Sequence, residues 1–115
     1  MPRDRAFERS WLERVAHDPG FAPLVAARLE RSSAELGEDS FRERSLLELL
    51  DEIHEEALDL AGWGVLAHQL PPPDTPDADR LARVFELVDL AARLGAQASL
   101  AIRTARSYLT TDAPA

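Results

Sequence analysis

The chain holds 115 residues, 45% of them hydrophobic, with no cysteine and a net charge of −8. That length fits one compact domain, and the missing thiols exclude a disulfide scaffold, a thiolate metal site and a cysteine nucleophile. No apolar run approaches the roughly 20 residues that span a bilayer, and the charged N-terminal stretch is unlike a signal peptide, so a cytoplasmic location is expected.

The apolar spacing is helical throughout, with no strand-like alternation, and predicts four helices over about 4–17, 22–36, 42–69 and 76–109. Asp4 is placed to cap the first, which carries Trp11 as a packing residue and ends at the Asp18-Pro19-Gly20 turn. Gly37 is placed to close the second in a left-handed turn. Ser40 with Glu43, and Ser45 with Glu48, both have capping-box spacing for the third. Thr75 and Pro76, after the proline-rich break at 71–76, suit the start of the fourth. Gly95 is a candidate kink in that helix, and residues 110–115 are expected to fray.

The third helix carries the charge. Between Glu30 and Asp59 eleven acids meet three arginines, an excess of eight that equals the whole net charge. This balance argues against a nucleic-acid surface, which needs a basic stripe, and against an anionic membrane. On a wheel of 100° per residue, Leu46, Leu49, Leu50, Ile53, Ala57, Leu60, Ala61 and Gly64 share one apolar face. Glu52, Glu56, Asp59 and Trp63 run along its edge, with Glu48 and Glu55 beyond. Like-charged pairs four residues apart cost roughly 0.2–0.5 kcal/mol each, so the stretch from Glu48 to Asp59 carries on the order of 1–2 kcal/mol of repulsion. A divalent cation such as Mg²⁺, or Mn²⁺ in its place, would relieve that repulsion, because hard cations take carboxylate oxygens. A solvated acidic face, which needs no ligand, stands beside that reading.

The fourth helix has only a narrow polar strip (Ala82, Glu86, Asp89, Arg93, Gln97). A helix apolar over more than half its circumference needs cover from two sides. The expected fold is therefore all-α, a bundle of about four helices that associates as a homodimer or homotetramer.

The run Glu55-Glu56-Ala57-Leu58-Asp59-Leu60-Ala61-Gly62-Trp63 resembles the later signature of the MazG-like all-α nucleotide pyrophosphohydrolases, and Gly37-Glu38-Asp39-Ser40-Phe41 resembles the turn before the acidic helix in small phage-type relatives. The resemblance covers residues 37–67. It implies an oligomeric helical bundle that uses Mg²⁺ to hydrolyse a nucleoside triphosphate to the monophosphate and pyrophosphate. In its terms Glu52, Glu56 and Asp59 are the metal ligands, and Glu55 or Glu48 orients or deprotonates the attacking water. The family's earlier Glu-Glu-x-x-Glu block has no copy here. Residues 55–59 can stand in for that block, with Glu86 and Asp89 supplying the later one, or Glu48 and Glu52, or Glu30 and Glu35, can replace it. The aromatic Trp63 favours the second register.

Without a glycine-rich phosphate loop, arginines would have to hold the triphosphate. Arg42, Arg44, Arg80 and Arg83 are the candidates, with Trp63 as a stacking platform and surface ion pairing as the plainer role of each arginine. The glycines beside Trp63 predict a close visitor to the backbone, a neighbouring helix before a nucleobase. His17, His54 and His68 share no ligand spacing, and Ser32 and Ser33 lack an elbow context. The alternative to an enzyme is a non-catalytic helical interaction module whose acidic face meets a basic partner.

Overall fold

The computed structural model describes residues 3–71, 73–74 and 77–110. The protein is all-α, with four α-helices: α1 (Arg5–Ala16), α2 (Phe21–Leu36), α3 (Leu46–Ala67) and α4 (Ala78–Thr110). There is no strand among the described residues, and none of their helices is long and apolar enough to cross a membrane. The chain divides into two compact units, residues 1–45 and 46–115.

The first unit is the α1–α2 pair. Asp4 caps α1 as expected, its carboxylate accepting from the Phe7 amide at 3.0 Å. The helix ends at the expected Asp18-Pro19-Gly20 turn, through a left-handed residue the sequence did not signal. His17 adopts the left-handed conformation (φ 53°, ψ 31°) ahead of the Asp18-Pro19-Gly20 turn. Gly37 closes α2 with φ 96° and ψ 148°, a positive-φ region wider than the left-handed well and open essentially to glycine alone. Leu12 and Ala22 are the buried apolar side chains of this pair. Much of its cohesion is ionic. Arg3, with its side chain only 7% exposed, donates to both carboxylate oxygens of Glu8 at 2.8 Å, to the Leu29 carbonyl at 3.0 Å and to Ser33. Arg5 bridges from α1 to Glu30 and Glu38.

The second unit is an antiparallel hairpin. The third helix starts four residues later than expected, because Ser40–Glu43 forms a separate 3-10 turn with no side-chain cap. Ser40 instead donates to the Gly37 carbonyl. Thr75, Pro76 and the tail 111–115 lie outside the described residues. Asp77 caps α4, its carboxylate accepting from the Arg80 amide at 3.0 Å.

The seam between α3 and α4 follows a seven-residue repeat. Leu47, Leu50, His54, Ala57, Ala61 and Gly64 on α3 alternate spacings of three and four. Phe85, Val88, Ala92, Gly95, Ser99 and Ile102 do the same on α4. Small residues fill its centre, so the backbones approach closely. A methyl group built on Gly95 would stand 2.8 Å from the Ala57 carbonyl oxygen, and one on Gly64 would sit 3.5 Å from Ala92 and 3.6 Å from Val88. Gly95 thus lies inside a continuous α4, as a point of helix contact and not a break. The neighbouring helix is the visitor expected at the Gly62–Gly64 pair, and it comes to Gly64; nothing lies within 4 Å of a methyl on Gly62.

Candidate functional site on the acidic helix

The rotation of α3 decides where its carboxylates point. Of the predicted apolar face, Leu50, Ala57 and Gly64 are buried, whereas Leu46, Ile53 and Leu60 are 60%, 48% and 44% exposed. The seam keeps Leu50, Ala57, Ala61 and Gly64 of that face and takes in Leu47 and His54 instead of Leu46, Ile53 and Leu60, a rotation of about 50°. The reason is steric. Only the stripe with Ala57, Ala61 and Gly64 lets α4 approach, and helix contact outweighs the gain from burying larger side chains on one helix alone.

That rotation carries Glu52, Glu56 and Asp59 to the surface of α3 turned away from α4, all three exposed. Trp63 stands in the same stripe at 71% exposure. Glu48 and Glu55 are exposed as well. The stripe is therefore real as a row along one helix, but a row is not a cage. Among the described residues no three acidic or histidine side chains converge as a metal ion requires. The described residues as placed in this hairpin do not fit a Mg²⁺ site.

The other register fares no better as a cluster. Glu86 is engaged by Arg83 on its own helix at 2.9 Å, and Asp89 lies 2.7 Å from His68 Nε2. The antiparallel register sets Asp89 against the end of α3 at His68, whereas Asp59 lies a helical turn or more back along it. Of the arginines proposed for a triphosphate, Arg80 pairs with Asp77 at 3.2 Å and Arg83 with Glu86. Arg42 stacks over the Phe41 ring at 4.7 Å and lies 3.9 Å from Asp39. Arg42 and Arg44 belong to the first unit, the acidic helix to the second.

His54 and His68, which share no ligand spacing, make contacts across the hairpin instead. His54 Nε2 lies 2.9 Å from the buried Ser99 hydroxyl, which also accepts from Arg103. His68 packs its ring on Phe85 at 4.7 Å besides meeting Asp89. Arg106 reaches back to Asp51. These contacts fix the register of α3 on α4. Their sequence signal was the seven-residue spacing of His54 and His68 with the small residues, visible only once the seam is known.

A concavity with charged walls occurs elsewhere, in the first unit. It is a cleft of about 440 Å³ with Leu12, Ala22 and Ala26 at its base and Arg3, Arg5, Arg9, Glu8 and Glu30 around it. Its electrostatics are internally settled. Arg3 holds the Glu8 carboxyl below the usual carboxylate range, Arg5 does the same to Glu30, and both guanidinium groups are pushed further up. Comparisons with family models, with curated proteins and with solved structures give no match to this chain.

Proposed function

We propose that the chain is a helical protein-association module built on the α3–α4 hairpin, with the acidic stripe of α3 as a solvated, selective outer edge. The observation that supports it is the split between the two broad sides of the hairpin. Positions just before the seam residues are apolar (among them Ile53, Leu60, Val84, Leu87 and Leu94) except Glu56, which precedes Ala57, whereas those just after include Asp51, Glu55, Glu86, Asp89 and Arg93 beside the apolar Leu58, Val65 and Leu100. A hairpin that met only water would not keep one side so largely apolar, whereas one that docks a partner through that side would. The acidic edge then adds charge selectivity at the rim, where it governs approach more than affinity.

A second reading, Mg²⁺-dependent hydrolysis of a nucleoside triphosphate to monophosphate and pyrophosphate, is favoured by the Glu55–Trp63 motif and by the repulsion stored along Glu48–Asp59. It requires an assembly or rearrangement that brings Glu52, Glu56 and Asp59 into one coordination sphere. Thermal melting of the full chain with and without millimolar Mg²⁺ or Mn²⁺, paired with a pyrophosphate-release panel of nucleotides, separates the two. The association module gives no metal-dependent shift and no release. A clear upward shift with release that Glu56→Gln abolishes replaces it with the hydrolase.

A further inference from the structure

The apolar side of the hairpin has a defined extent. Leu46, Ile53 and Leu60 on α3, and Val84, Leu87 and Leu94 on α4, each sit one position before a seam residue. In an antiparallel pair, rotation in the same sense from the seam carries residues of both helices to the same side of the hairpin. These six therefore share one side of the hairpin, with Trp63 beside them and Glu56 at the edge, and Leu60 stands 3.4 Å from a methyl group built on Gly95. Their exposures run from 44% to 60%. Six half-exposed side chains of this size present on the order of 500 Å², and the alanines between them extend the strip towards the ~800 Å² that each partner of a standard interface buries. On α4 the strip has its own seven-residue repeat (Val84, Leu87, Ala91, Leu94, Ala98), the spacing a helix in knobs-into-holes contact requires.

We infer that this face docks a second copy of the same hairpin, the two stacking with α3 over the partner's α4. Length selects the occupant. With a rise of 1.5 Å per residue, α3 and α4 run about 33 and 50 Å, but α1 and α2 only about 18 and 24 Å. A matching hairpin covers the strip from end to end, and the α1–α2 pair does not. Charge selects the arrangement. With α3 over the partner's α3, the outer stripes of Glu52, Glu56 and Asp59 would run side by side along one edge. With α3 over the partner's α4, they stand at opposite corners of a four-helix bundle in which every neighbour is antiparallel. This names the partner for the association reading above and rests on it.

Sedimentation equilibrium of the full chain at tens of micromolar is expected to give twice the 12.7 kDa chain mass. The Leu87→Asp/Leu94→Asp variant should fall to the monomer mass while keeping the wild-type far-UV helical signal. Because the chain has no cysteine, single cysteines report the arrangement cleanly. Oxidising a mixture of Ile53→Cys and Ala98→Cys chains should give a covalent dimer, and Ile53→Cys alone should give none. A wild-type monomer, or cross-linking by Ile53→Cys alone as readily as by the mixture, overturns the inference. The failures are distinguishable. A monomer without metal response overturns self-pairing only, whereas metal-dependent pyrophosphate release overturns the association reading whatever the mass.

Discussion

The two helical pairs of this protein are held together by different physics. In α1–α2 the polar contacts between helices come from two guanidinium groups, Arg3 donating to the Leu29 carbonyl, Ser33 and Glu30, and Arg5 to Glu30. In α3–α4 the contact comes from two backbones brought close by alanine, glycine and serine. The first depends on charge state and salt, because exposed and half-exposed ion pairs are screened. The second depends on shape, because a packed seam with no spare room answers to single methyl groups. A composition of 30% charged residues does not reveal this division. The location of the small residues does.

Each pair carries one tryptophan, Trp11 in the first and Trp63 in the second, so fluorescence of Trp63→Phe and Trp11→Phe backgrounds reads them separately. The largest expected effect is on the seam. Gly95→Val puts a branched side chain where even Cβ stands 2.8 Å from the Ala57 carbonyl oxygen, and should cost the second unit about 3 kcal/mol in a denaturant melt, leaving the first unchanged. Next comes the ionic clamp. Arg3→Met keeps the side-chain length but leaves Glu8 and the Leu29 carbonyl without their donor, and should cost the first unit about 2 kcal/mol in the same assay.

Acidification should separate the pairs further. Glu8 and Glu30 have carboxyls held below their ordinary value by Arg3 and Arg5 in the folded state. Their contribution is therefore complete above the unfolded value of about 4.3 and is lost as pH falls through the lower folded value. Melts of the Trp11 signal should lose stability from about pH 4.5 downward, more steeply in wild type than in Arg3→Met. The smallest effect has the opposite sign. Gly62 is exposed with room for a methyl group, so Gly62→Ala should raise the stability of the second unit by about 0.5–1 kcal/mol. A loss there would mean that something covers Gly62 in solution.

The acidic stripe shows how far the sequence reading reaches. The like-charge spacing placed Glu52, Glu56 and Asp59 in one row, and the row exists. The same wheel placed the buried Leu50, Ala57 and Gly64 on the packed face but aimed the helix about half a residue off, because Leu46, Ile53 and Leu60 weighed as much as the small residues that permit close approach. That small rotation turns the row further outward and leaves Leu46, Ile53 and Leu60 in a second apolar strip. Boundaries went the same way. Asp4 was legible because an N-cap is a local hydrogen bond, whereas the late start of α3 and the left-handed His17 follow from how the chain turns, which no periodicity encodes.

The sequence by itself determined that the protein is helical, where most of its helices lie and that its charge gathers on α3, because periodicity, caps and charge counts are local properties of the chain. Only the tertiary structure decided which stripe of each helix meets its neighbour, that Gly95 is a contact and not a kink, and that Arg3 ties α1 to α2. Those outcomes depend on what stands across the gap. Two helices choose their common face by the closest approach their small residues allow, a property of the pair that neither helix carries alone.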